Sequence, residues 1–142
     1  MSEVARHPIE LAEVLFVRSS VISVPGHEPD AKNETLSPTN TINVVKNPDQ
    51  PNSFQVQMRS VFNPEMNKAA PYFIDMECIA NLTADDTLNE EEKLRGVTIT
   101  GHSVLYGAIR EAVAWLTGRQ MYGSMMLGLS VLSPGPPPEK KT

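Results

Sequence analysis

Apolar residues alternate with polar ones in four stretches of this chain and recur at helical spacing in one. The clearest alternation is Ser53 to Phe62, where Phe54, Val56 and Met58 share one face and Gln55, Gln57 and Arg59 the other. Leu15 to Val24 has the same period, with Leu15, Val17 and Val21 against Phe16, Ile22 and Val24, and Pro25-Gly26 as its stop. Thr39 to Val45 places Ile42 and Val44 on one face, and the turn-rich Asn47 to Asn52 comes next. Pro71 to Leu82 is apolar on both faces: Tyr72, Ile74, Met76, Cys78 and Ala80 against Phe73 and Ile79. The pattern predicts strands over about 15–24, 39–45, 53–62 and 71–82.

The helical pattern lies within Gly101 to Leu132. Leu105, Ile109, Ala112, Val113 and Leu116 form an apolar stripe, widened by Val104, Ala108 and Trp115. This predicts a helix over about 103–118, capped by His102 or Ser103 and stopped at Gly118. Met125 to Leu132 reads as a Met-rich strand or extended segment. Upstream, Ala5, Ile9 and Ala12 with Pro8 in a first turn suggest a short helix at about 7–14. The acidic Thr83 to Arg95 reads as a solvated loop in which Thr87 or Asn89 could cap a short helix. The ending SPGPPPEKKT predicts a disordered tail at 135–142. The expectation is one domain over 1–134, of α+β class: a four-stranded antiparallel sheet, in meander order, with a long helix packed on one face.

Composition narrows the function. A net charge of -5 disfavours nucleic acid as the main partner. A single cysteine, Cys78, rules out a disulfide framework and suits a reducing, cytoplasmic setting. No apolar run reaches the roughly 20 residues that span a bilayer, and the acid-bearing N-terminus lacks a signal-peptide core. His7, His27 and His102 have no metal spacing, so surface or capping roles are the ordinary reading. Cys78 in an apolar strand reads as an inert thiol. The run of Asp85, Asp86 and Glu90 to Glu92 lacks a calcium loop's alternation and central glycine. No serine elbow or phosphate loop is present. No catalytic residue, metal or cofactor is therefore assigned.

What remains is apolar surface. Two strands are apolar on both faces, yet one long helix is available to cover them, which implies open patches or an oligomer. The methionines, including Met121, Met125 and Met126, suit a surface that adapts to many shapes.

One stretch carries a resemblance. LYGAIREAVAWLTGR, with Tyr106 ahead of Ile109-Arg110-Glu111, then Val113 and Leu116-Thr117-Gly118-Arg119, resembles the signature helix of the SecB protein-export chaperone family. It is closer still to SecB-like chaperones that accompany stress-responsive toxin–antitoxin pairs. The resemblance extends as a strand pattern from about Leu15 to Pro134. It implies strands in the order 1-2-3-4 and two dimers joined through the long helices into a tetramer, with Leu105, Ile109, Val113 and Leu116 as the expected interface. It also implies capture of unfolded polypeptide in apolar grooves beside the helix and the second strand. Pro38, followed by Asn40, Ile42 and Val44, matches the second-strand motif at Ile42 and Val44 but is polar at Asn40. Trp115, Met121, Met125 and Met126 are added as client-binding candidates from their expected exposure.

Two departures bear on the export role. The family docks the translocation motor SecA through acidic residues on the outer sheet face. Asp75 retains one such position, whereas the two first-strand positions read as Ser19 and Ser23. The family's C-terminal helix has no counterpart after Pro134. These differences put motor docking in doubt and favour a dedicated client, such as an antitoxin. The expected function is thus a nucleotide-independent holdase. The alternative is an oligomeric structural or regulatory module without a client.

Overall fold

The computed structural model describes residues 6–29 and 37–132. Four strands, β1 (Ile9–Ser23), β2 (Thr39–Lys46), β3 (Ser53–Phe62) and β4 (Tyr72–Ala84), precede one helix, α1 (Glu90–Thr117). The sheet is antiparallel in the order β1-β4-β3-β2. The expected tail at 135–142 lies outside the described residues.

β3 and β2 match their predicted spans closely, and the turn between them is closed by Asn47, whose Oδ1 accepts from Asp49 N–H at 3.0 Å. β2, β3 and β4 form the expected meander, but β1 does not continue it. It pairs with the far side of β4 from Ile9↔Ala84 to Ser23↔Tyr72. The long connection after Ser23 permits this crossover. The physical reason is β4 itself: a strand apolar on both faces is best placed at the centre, where both its edges are hydrogen-bonded.

The expected N-terminal helix at 7–14 is also corrected, because Ile9 to Val14 is the first half of β1. Register shifts between Leu11 and Glu13 and between Phe16 and Arg18 break the period of two. Each bulge inserts an extra residue, so the side chains after it point to the opposite face. That irregularity makes Ile9, Ala12 and Phe16 mimic helical spacing.

α1 begins at Glu90, well before the predicted start. Asn89 is its cap: its side chain accepts from Glu92 N–H at 2.9 Å, and Glu92 Oε1 accepts from Asn89 N–H at 3.1 Å. Glu90, Glu91 and Glu92 suit the positive end of the helix. The buried residues Lys93, Val97, Gly101, Leu105, Ile109, Val113 and Thr117 recur every fourth position, forming one ridge against the sheet. The first half escapes sequence reading because Gly96, Gly101 and the β-branched run Val97 to Thr100 are weak helix formers. Packing overrides them: an ideal Cβ at Gly101 would lie 2.8 Å from Val56, so glycine permits the close approach.

The core lies between α1 and the sheet face made of Phe54, Val56, Met58, Ile74, Met76, Cys78, Ala80 and Leu82. Leu105, Ile109 and Val113 belong to that core and are fully buried within one chain, with Leu116 packed beside it. Burial against the chain's own sheet takes Leu105, Ile109 and Val113, though not the half-buried Leu116, off the surface that a second subunit could meet. The helix has one strongly apolar face, and its own sheet uses it.

Candidate functional site

α1 lies across β4, β3 and β1. After Thr117 the chain turns and runs back along the helix as an extended segment without strand pairing. This segment, Gly123 to Leu132, is held by side chains acting on its main chain. Tyr72 Oη donates to Gly123 O at 2.7 Å. Met125 N–H donates to Thr117 Oγ1 at 2.8 Å. Arg110 Nε donates to Leu127 O at 2.8 Å, and Tyr106 Oη donates to Gly128 O at 2.7 Å. His102 Nε2 lies 3.1 Å from Ser130 Oγ. Leu127 anchors the segment in the core at 2% exposure, whereas Met126, Leu129 and Val131 remain exposed.

His102, Tyr106 and Arg110 stand four residues apart, a polar stripe beside the apolar ridge of α1. Sequence reading did not join them as a set, because it took His102 as a possible cap and Tyr106 and Arg110 as parts of a signature. Their spacing is the signal that identifies them.

Beyond Ser130 the segment reaches the inner face of β2. A hollow of about 220 Å³ there is lined by Asn40, Ile42, Met58, His102, Ser130 and Leu132, among others. Ile42 lines this hollow, and Val44 is half-buried on the same face. A second hollow, about 190 Å³, lies along the segment between His102, Tyr106, Arg110 and Leu129. Among the described residues, two polar atoms near β2 are buried without partners: Oδ1 of Asn40, a residue that lines the first hollow, and Oγ of its cross-strand neighbour Ser60. Ser60 is 1% exposed.

The other candidates are spread out. Trp115 is 65% exposed on the helix face away from the sheet, with the Arg119 guanidinium 5.6 Å from its ring centroid. Met121 and Met126 are exposed, and Met125 packs against the core. β1 adds Leu11, Leu15, Phe16, Val17 and Ile22, all exposed.

The outer sheet face differs from expectation. Asp75 is 9% exposed at its side chain and is clasped by two arginines. Arg59 Nε and Nη2 donate to it at 2.9 and 2.8 Å, and Arg18 Nη1 at 3.0 Å. The Arg59 hydrogen bond holds its carboxyl below the usual carboxylate range, against the opposing effect of burial, with Arg18 helping. Ser19 and Ser23 pair with Met76 and Tyr72 and so lie on the helix side, not on the outer face. The bulge before Arg18 causes this, placing Arg18, Ser20 and Ile22 outward instead.

Burial pushes the Cys78 thiol up to about 12, in keeping with an inert core residue. Among the described residues, no three His, Cys, Asp or Glu side chains gather as a metal set. No helix among them is long and apolar enough to cross a membrane.

No protein-family model and no curated protein matches the chain. Among solved structures, the fold is similar to that of the Mycobacterium tuberculosis Rv1957 SecB-like chaperone, solved in complex with a ChAD peptide from the Rv1956 HigA1 antitoxin. The likeness has a TM-score of 0.66 at 22% identity and covers 87% of this chain and 91% of that one. Four antiparallel strands under one long helix make the fold of this chain SecB-like, although the order 1-2-3-4 expected from the resemblance is corrected to β1-β4-β3-β2.

Proposed function

We propose that this chain is a SecB-like chaperone that holds non-native polypeptide in extended form, without nucleotide, for a dedicated client such as an antitoxin. The observation that carries the reading is the apolar surface left open on this fold. Residues of β1, the exposed side of α1 and the C-terminal segment present large side chains that the single helix does not cover. Burying such side chains against a client's releases roughly 25 cal/mol per Å² of apolar area. The similarity to a chaperone that binds an antitoxin peptide supports a polypeptide client. The arginine clasp on Asp75 and the inward Ser19 and Ser23 speak against docking of an export motor. A cytoplasmic location and a role outside enzymology belong to the same reading.

With Leu105, Ile109 and Val113 committed to the core, a dimer or tetramer has the exposed side of α1 and the edges of β1 and β2 to use, of which β1 carries the more exposed large apolar side chains. That edge favours a second reading, an oligomeric module in which all the apolar surface is buried between subunits and no client binds.

Aggregation assays separate the two. The chaperone reading expects stoichiometric amounts to suppress aggregation of a chemically unfolded test protein without ATP, and expects the native assembly to bind ANS. No suppression at any ratio, together with no ANS binding, would leave the module.

A further inference from the structure

The segment Gly123 to Ser130 is an extended stretch of polypeptide that lies along α1, and its far end, Ser130 to Leu132, meets β2. Three of its four closest polar contacts engage main-chain carbonyls: Tyr72, Arg110 and Tyr106 donate to Gly123, Leu127 and Gly128, while Thr117 accepts from Met125 N–H. Contacts of this kind do not depend on the side chains of the bound strand. Its one deep side-chain anchor is Leu127. The stripe therefore suits any extended chain with an apolar residue at the anchor position. We infer that this segment is a built-in stand-in for the client, and that an incoming extended polypeptide displaces it from Tyr106, Arg110 and Thr117. The inference rests on the chaperone reading above and adds to it the site's main-chain selectivity and its internal competitor.

The site also shows why a client can win. With the segment in place, Asn40 Oδ1 and Ser60 Oγ are buried without partners among the described residues. A buried polar atom without a hydrogen bond is destabilising, and a partner that satisfies it recovers that loss. A polypeptide that takes the place of Ser130 to Leu132 beside β2 can present a backbone N–H to Asn40. The hollow of about 220 Å³ beside Ile42 is open for one of its apolar side chains. The segment is weakly committed in other respects too. It joins no sheet, and Met126, Leu129 and Val131 face solvent.

A competing internal segment lowers apparent affinity by the fraction of molecules in which the site is free, so loosening it tightens binding. The probe is reduced, carboxymethylated lactalbumin, which is permanently unfolded. Leu127→Ala in the full chain should bind it roughly tenfold more tightly than the parent. A synthetic peptide of residues 121–132 should compete with it, and Asn40→Leu should weaken binding. Because Leu127→Ala also touches the core, the parent chain supplies an independent readout. On adding the probe, hydrogen exchange should speed up at Met125 to Ser130 while β3 and β4 stay protected. Unchanged or slower exchange there, with the probe bound and the peptide failing to compete, would overturn the inference and leave the chaperone reading standing. Absence of probe binding by both parent and variant would overturn both.

Discussion

Asp75 shows how much a single side chain depends on its neighbours across the sheet. Read alone, an aspartate in an apolar strand is a free charge available to a partner. In the fold it accepts from Arg59 and Arg18, on the strands either side of β4. Its pKa is lowered chiefly by the Arg59 hydrogen bond. A carboxyl titrating lower in the folded chain than its unfolded value near 3.9 stabilises the fold above that value. This contribution should fade as pH falls from about 4 through the lowered folded value. Asp75→Asn should cost about 1–2 kcal/mol at pH 7, at the low end for charged hydrogen bonds because both arginines are half-exposed to water. Urea unfolding from pH 7 to 2 should show the two proteins converging in acid. A gap that stayed constant with pH would mean that the clasp is not ionic. Arg18 was not legible as a partner, because the bulge that turns it outward leaves no trace in the pattern of apolar residues.

At the scale of elements, legibility followed regularity. β3 was readable to the residue because Phe54, Val56 and Met58 alternate without a break, and a strand with one buried face has to keep that period. β1 was half lost because its bulges mix the periods of two and four. α1 was shortened because its first half contains glycines and β-branched residues that a lone helix would avoid. The helix persists there because it packs, and Gly101 is the point of contact. Two of the three interior glycines, Gly101 and Gly107, then behave in opposite ways. At Gly101 an added methyl meets three carbons of Val56 within 2.9 Å. Alanine gains up to about 1 kcal/mol in helix propensity, but overpacking costs about 1–3 kcal/mol. Gly101→Ala should therefore be neutral at best and otherwise destabilising. At Gly107 nothing lies within 4 Å of the built Cβ, so Gly107→Ala should keep the whole gain, about 1 kcal/mol. Thermal unfolding of the two variants checks this: Gly107→Ala melts higher than the parent, and Gly101→Ala lower than Gly107→Ala. If Gly101→Ala matched Gly107→Ala, the close approach of helix and sheet would be wrong.

For the whole molecule, surplus apolar surface was readable, but its location was not. Strands apolar on both faces announced it, while the placement of β1 at an edge and the fold-back of the C-terminal segment depend on long-range packing that no local pattern encodes. The polar stripe of His102, Tyr106 and Arg110 was visible in spacing, yet only the segment lying on it shows what it does. Together these features predict the thermodynamics of client binding. The chain is acidic, with a net charge of -5, and carboxymethylated lactalbumin is acidic too, so long-range charge opposes their meeting. If apolar burial and main-chain hydrogen bonds drive capture, raising salt should leave affinity unchanged or tighten it, because screening removes the repulsion. Calorimetry at several temperatures should give a negative heat-capacity change, about -0.4 kcal/mol/K for each 1,000 Å² of apolar surface buried. An affinity that fell steeply with salt, with no heat-capacity change, would instead mark an electrostatic binder. The open surface on β1 and α1 would then serve assembly alone.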